Sequence, residues 1–268
     1  MSGAARTRTR PPVALSAGWA AATVVAAAIL IAGNASGRPA LGACVAIVQA
    51  AFVAGWLVAF EATLDAAVLV LIAVAVADVV LLRTRSAAGG SIAGVIGLSV
   101  IGVLFHQLVR RDPRGVTSAV SVTLAAIILG AAPALLLPLR ELPVGRSAGL
   151  LALLASAAAL VVARLPAAPD AARWIAGLAA GVVVGLLCGI GKGGLTTGHA
   201  VAVGAGCAVT VLLADRLLVR IAADAPAPPS GNGGIAALSN AVIAGILPLA
   251  LACPVAYLVG RVIAPGAG

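Results

Sequence analysis

Acidic residues are scarce in this chain, numbering eight among 268. No two are spaced as DxxD or ExxE, so no ready carboxylate pair exists for a divalent cation. None stands squarely at the centre of an apolar run, where ion- or proton-coupled transport normally needs one. Histidine occurs only at His106 and His199, far apart and without HExxH, which excludes the familiar His-based metal sites. A GxSxG nucleophile elbow is missing as well. The four cysteines (Cys44, Cys188, Cys207 and Cys253) form no CxxC and lie inside apolar runs, where they read as small packing residues. Aromatic residues number seven, three Phe, three Trp and one Tyr. Without aromatics interleaved among its basic residues, the chain lacks the pattern of a nucleic-acid surface, and no nucleic-acid partner is expected.

What is present is apolar. Hydrophobic residues make up 62% of the chain, charged residues 9%, and the mean hydropathy is +1.18. A soluble domain is closer to half apolar and a quarter charged. Lipid accepts this apolar surface where water would not, so the composition predicts an all-α, polytopic transmembrane bundle. The formal charge of +9 is distributed between the apolar runs, as in Arg83/Arg85, Arg110/Arg111/Arg114 and Arg216/Arg220. That placement orients membrane proteins and meets anionic headgroups, making membrane lipids the expected partners. Sixteen of the seventeen basic residues are Arg and Ala is abundant, a usage that points to a GC-rich, actinobacterial genome.

A window of about 19 residues finds about nine spans, with eight to ten as the range. They fall near 13–33, 40–60, 66–82, 92–109, 116–137, 148–162, 172–190, 200–219 and 235–263. The sixth is short for a full crossing, and Pro248 and Pro254 interrupt the last. The organisation is a basic segment (1–12), one transmembrane domain (13–263) and a short tail (264–268). The first apolar run is too long for a signal peptide and reads as an uncleaved helix.

Nine spans with an inner amino terminus place Arg6, Arg8, Arg10, Arg110, Arg111, Arg114, Arg164, Arg173, Arg216 and Arg220 on the inner side. Arg38, Arg83, Arg85, Arg140, Arg146, Lys192 and Arg261 then lie outside. Ten against seven favours a cytoplasmic amino terminus in the cell membrane.

Four glycines, Gly177, Gly181, Gly185 and Gly189, recur every fourth residue in the seventh span. Such a stripe admits a second backbone at close range, within the chain or between the protomers of a homodimer. It leads into Gly191-Lys192-Gly193-Gly194, a turn whose amides and Lys could also hold a lipid phosphate. Asp78 and Asp215 stand near span ends, where pairing with Arg83, Arg216 or Arg220 at the interface is the expected arrangement. Gln49 is the deepest uncharged polar group and is expected to bond a neighbouring helix.

In the last third, Ala214-Asp215 is followed by Arg220, then Ser230-Gly231-Asn232-Gly233-Gly234, then Ala237, Leu238 and Asn240, and then an apolar helix. Over some seventy residues this resembles the bacterial phosphatidate cytidylyltransferase family, which makes CDP-diacylglycerol. That family's signature reads G-D, K-R, then P-G-H-G-G followed by x-x-D-R-x-D. The resemblance implies a site drawn from Lys192, Asp215, Arg220, Asn232 and Asn240, close to phospholipid. Here Asn232 replaces the motif's His, while Ala237 and Asn240 replace its acids. Neutral side chains cannot balance a divalent ion. The resemblance therefore implies a non-catalytic, phospholipid-associated derivative with no cofactor; magnesium enters only if the chain is an active lipid-modifying enzyme using Asp215, Lys192 and Arg220. A small permease with a path lined by Asp78, Gln49, His106 and Asn240 is the alternative, and a scaffold the plainest reading.

Overall fold

The computed structural model describes residues 13–60, 62–84, 90–109, 116–165, 169–190, 195–224 and 233–263. Among them the chain is helical and has no strand. The helices are α1 (Val13–Ser36), α2 (Arg38–Ala59), α3 (Leu64–Thr84), α4 (Gly90–Val109), α5 (Val116–Ala131), α6 (Leu136–Arg140), α7 (Gly145–Ala163), α8 (Asp170–Ile190), α9 (Thr197–Asp224) and α10 (Gly233–Ile263). A 3₁₀ turn, Ala132–Leu135, joins α5 to α6, so these make one span and the described chain has nine helical passes. Eight spans are long and apolar enough to cross a bilayer; α4 supplies a shorter apolar stretch, Ser91–His106. The protein is a multi-pass membrane helical bundle. Lys192 and Asn232, together with residues 1–12 and 264–268, lie outside the described residues.

Local chemistry sets the boundaries. Only Gly37 separates α1 from α2, and its φ of 135° is a conformation that side chains resist. Pro39 then occupies the first turn of α2, where its missing amide hydrogen costs nothing. Thr63 and Thr196 cap α3 and α9: their hydroxyl oxygens accept from the amides of Ala66 at 3.4 Å and His199 at 3.3 Å. Between α6 and α7 the chain turns so sharply that a Cβ on Gly145 would lie 1.7 Å from the Leu139 carbonyl oxygen.

The sixth expected span, read as short, is the 19-residue α7. The last was expected to be interrupted by proline, yet α10 continues through both Pro248 and Pro254. A buried helix tolerates proline when the freed carbonyl finds another donor, and one does so here, as described below.

α10 occupies the centre, packing against α1, α2, α7 and α9 and against the 3₁₀ turn. Leu30, Leu41, Phe52, Leu160, Leu212 and Leu249 fill the interior between them. α8 lies on α7 and α9 at one flank, while α3, α4 and α5 form a second flank docked on α2. Large apolar side chains such as Val25, Ile72, Leu98, Phe105, Leu187 and Leu258 face outward, as lipid contact requires.

Lipid removes the hydrophobic drive for helices to meet, leaving close packing to hold them. The α8 stripe supplies it. A Cβ on Gly181 would sit 2.4 Å from the Ala208 Cβ of α9, and one on Gly185 2.8 Å from the Ala200 carbonyl oxygen. On Gly177 it would meet the Ala159 carbonyl of α7 at 2.8 Å, and on Gly189 the Thr197 Cα at 2.8 Å. Of the two arrangements open to the sequence, the stripe takes the one within the chain.

Candidate functional site

Three polar clusters interrupt the apolar bundle. The first surrounds Arg164, the residue that ends α7. Its amide closes the helix on the Leu160 carbonyl at 3.1 Å, and its side chain turns inward, leaving the residue only 8% exposed. Nε and Nη2 donate to Oδ1 of Asp215 on α9, at 3.1 and 2.6 Å. Nη2 also donates to the Ala244 carbonyl of α10 at 2.9 Å, and Nη1 to Oγ1 of Thr23 on α1 at 3.1 Å. The guanidinium carbon lies 5.6 Å from the Trp19 ring centroid, within cation–π range.

The Ala244 carbonyl is open to Arg164 for a covalent reason. Its helical donor would be the amide of the residue four positions on, and that residue is Pro248. Proline thus creates an acceptor inside the bundle, and a guanidinium from another helix satisfies it. Four helices (α1, α7, α9 and α10) meet on this one side chain.

Asp215 has two basic residues near it in the chain, Arg216 and Arg220, but both are exposed and neither holds it. Arg164 holds it instead. Helix phase explains the difference: Arg216 is rotated ~100° from Asp215 on α9, whereas Asp215 faces the interior. Arg164, read from sequence as an inner-loop charge, is the residue that sequence reasoning missed. The available signal was a basic residue directly ending an apolar run, together with a proline inside an apolar helix.

The second cluster joins α2 to α3. Gln49 and Asp78 are 2% and 5% exposed, and Gln49 Nε2 donates to Asp78 Oδ1 at 3.2 Å. The expected bond from Gln49 to a neighbouring helix is therefore present. Asp78, however, does not reach Arg83 at the interface, because it faces the interior while Arg83 is exposed. A carboxylate does lie inside the bundle after all. Among the described residues, Gln49 Oε1 is buried without a hydrogen-bond partner.

The third cluster lies at the end of the bundle where α1, α3 and α6 finish. Arg38 pairs with Glu141 at 2.8 Å and donates to the Leu81 carbonyl at 2.5 Å. Arg140 donates to both the carbonyl and the side-chain oxygen of Asn34, and Arg146 donates to the Ala35 carbonyl at 3.1 Å. Asn34 returns a bond from Nδ2 to the Arg146 carbonyl at 3.0 Å. Cations here meet the unpaired carbonyls of helix C-termini, a favourable placement.

Of the residues expected to share a phosphate site, Lys192 and Asn232 lie outside the described residues. Asp215 is in the Arg164 cluster, while Arg220 and Asn240 are exposed on α9 and α10. Of the four residues of the permease reading, Gln49 and Asp78 touch, His106 is near the end of α4, and Asn240 is near the start of α10. The four cysteines are unpaired, and among the described residues no three His, Cys, Asp or Glu side chains gather around a common point.

No protein-family model matches this chain, and no curated protein matches it either.

Proposed function

We propose that this is a non-catalytic, cytidylyltransferase-like membrane protein that associates with phospholipid in the cell membrane, its amino terminus on the cytoplasmic side. One observation carries the reading. Asp215, the acid kept from the resembled motif, accepts two hydrogen bonds from Arg164 on a single oxygen. A carboxylate neutralised by a buried guanidinium is a poor ligand for a divalent cation, which needs the negative charge. Asn240, at a position where the motif carries an acid, is exposed and neutral. Arg216 and Arg220, exposed on the same stretch of α9, remain for anionic headgroups.

The test is a pair of measurements on the purified protein. With CTP, magnesium and phosphatidic acid it should release no pyrophosphate; robust turnover would sink the non-catalytic reading. Co-purified lipid, measured by mass spectrometry, should be enriched in anionic phospholipid relative to the membrane extract. Arg216→Gln with Arg220→Gln should lower that enrichment, and unchanged lipid composition would overturn the phospholipid association.

A further inference from the structure

The Gln49–Asp78 contact is electrically and chemically incomplete. A single amide donor does not neutralise a carboxylate shielded from water, and low dielectric makes the deficit costly. The elements packed on α3 carry few groups that could help. α2 contributes Cys44 and Arg38, and Arg38 is committed to Glu141 and to the Leu81 carbonyl. α4 contributes His106, near the other end of the pair of helices, and α5 contributes no titratable side chain. α6 contributes Arg140, which is committed to Asn34. At the same time Gln49 Oε1 is a buried acceptor with no donor among the described residues, an uncommon state for a buried amide.

The neighbouring backbone is irregular at this depth. Gly130 of α5 fits against Val74 and Phe52, with a Cβ there 3.1 and 3.7 Å from their side chains. Val74 lies one turn from Asp78 on α3, and Phe52 one turn from Gln49 on α2. The 3₁₀ turn that follows Gly130 packs on both helices, and its Pro133 deprives the Leu129 carbonyl of the usual helical donor. Non-helical backbone at membrane depth is tolerated where it is buried in protein or lines a site.

We propose that Asp78 and Gln49 form an intramembrane site for one small monovalent cation, a sodium ion or a proton. One such cation answers both deficits. A proton on the carboxyl can be donated to Oε1 and removes the charge; a sodium ion does the same by accepting both side-chain oxygens as ligands. Divalent ions would call for more carboxylates than Asp78 alone. An apolar surface groove lies between α7 and α8 and another on the outer face of α3, and neither is lined by Asp78 or Gln49. The site is independent of the phospholipid reading, which rests on α9 and α10.

The whole chain in lipid nanodiscs provides the test, and its two arms separate the cations. In the first, the unfolding midpoint is followed as sodium chloride replaces choline chloride at constant ionic strength. A sodium site raises the midpoint by several degrees in the natural chain and by none in Asp78→Asn or Gln49→Leu. In the second, infrared spectra are recorded in sodium-free buffer at neutral pH. A proton site gives a protonated-carboxyl band that disappears in Asp78→Asn and moves in Asp78→Glu. Both readings begin with the unaltered protein, so a variant that fails to assemble does not remove the test. A natural chain with neither a sodium-specific shift nor a protonated-carboxyl band overturns the proposal.

Discussion

Two carboxylates lie inside this bundle, and their surroundings are opposite. Asp215 has a guanidinium, and that guanidinium has a proline-freed carbonyl, a hydroxyl and an indole face around it. Asp78 has one amide, and the amide's own oxygen is left over. The contrast separates two uses of buried charge. A complete set of partners makes a joint between helices, whereas an incomplete set makes a place for something to bind. Burial alone does not tell them apart; the count of satisfied donors and acceptors does.

Breaking the complete cluster should have the largest effect. Arg164→Met leaves Asp215 in the interior without its cation, a loss of about 3–5 kcal/mol for a buried pair. Thermal unfolding in detergent would measure it. The double variant Arg164→Met with Asp215→Leu should recover most of the loss, because both charges are then gone; no recovery would mean that packing, not charge, holds α7 to α9.

The next effect tests packing apart from charge. Gly181→Leu forces a side chain into the Ala208 contact on α9 and should cost about 1–3 kcal/mol. Gly97→Ala on α4, where a Cβ meets nothing within 4 Å, should be neutral or stabilise by up to about 1 kcal/mol. Equal responses at the two positions would show that the stripe is not a contact surface.

Thr23→Val keeps the shape but removes one acceptor from Arg164, and should cost about 1 kcal/mol in the same unfolding measurement. The smallest change is expected at the incomplete cluster. Asp78→Asn retains a partner for Gln49 while removing the charge, so stability should hold within about 1 kcal/mol. A loss as large as that of Arg164→Met would make Asp78 a structural joint and erase the contrast.

Much of the fold was legible in the sequence because lipid imposes a single strong requirement. A span must be apolar over ~20 residues, so hydropathy locates the nine helical passes of the described residues within a few residues of their ends. The glycine stripe was visible for a related reason: only glycine at every fourth position leaves a smooth groove. The candidate site was less legible. Asp215 stands out in the sequence, but its partner is 51 residues away, and Arg164 reads like any loop arginine. Its distance along the chain from Arg83 suggests the interface for Asp78, whereas its helix face turns it inward.

By itself, then, the sequence determined the membrane class, the approximate number of helices and the close-packing face of α8, because each follows from composition or short-range spacing. Tertiary structure decided which arginine neutralises Asp215, that α8 uses its stripe within the chain, and that α10 runs unbroken through two prolines. The physical reason is the same in each case. Hydrogen bonds, charges and close contacts are satisfied by neighbours in space, and in a bundle those neighbours come from helices distant in the chain.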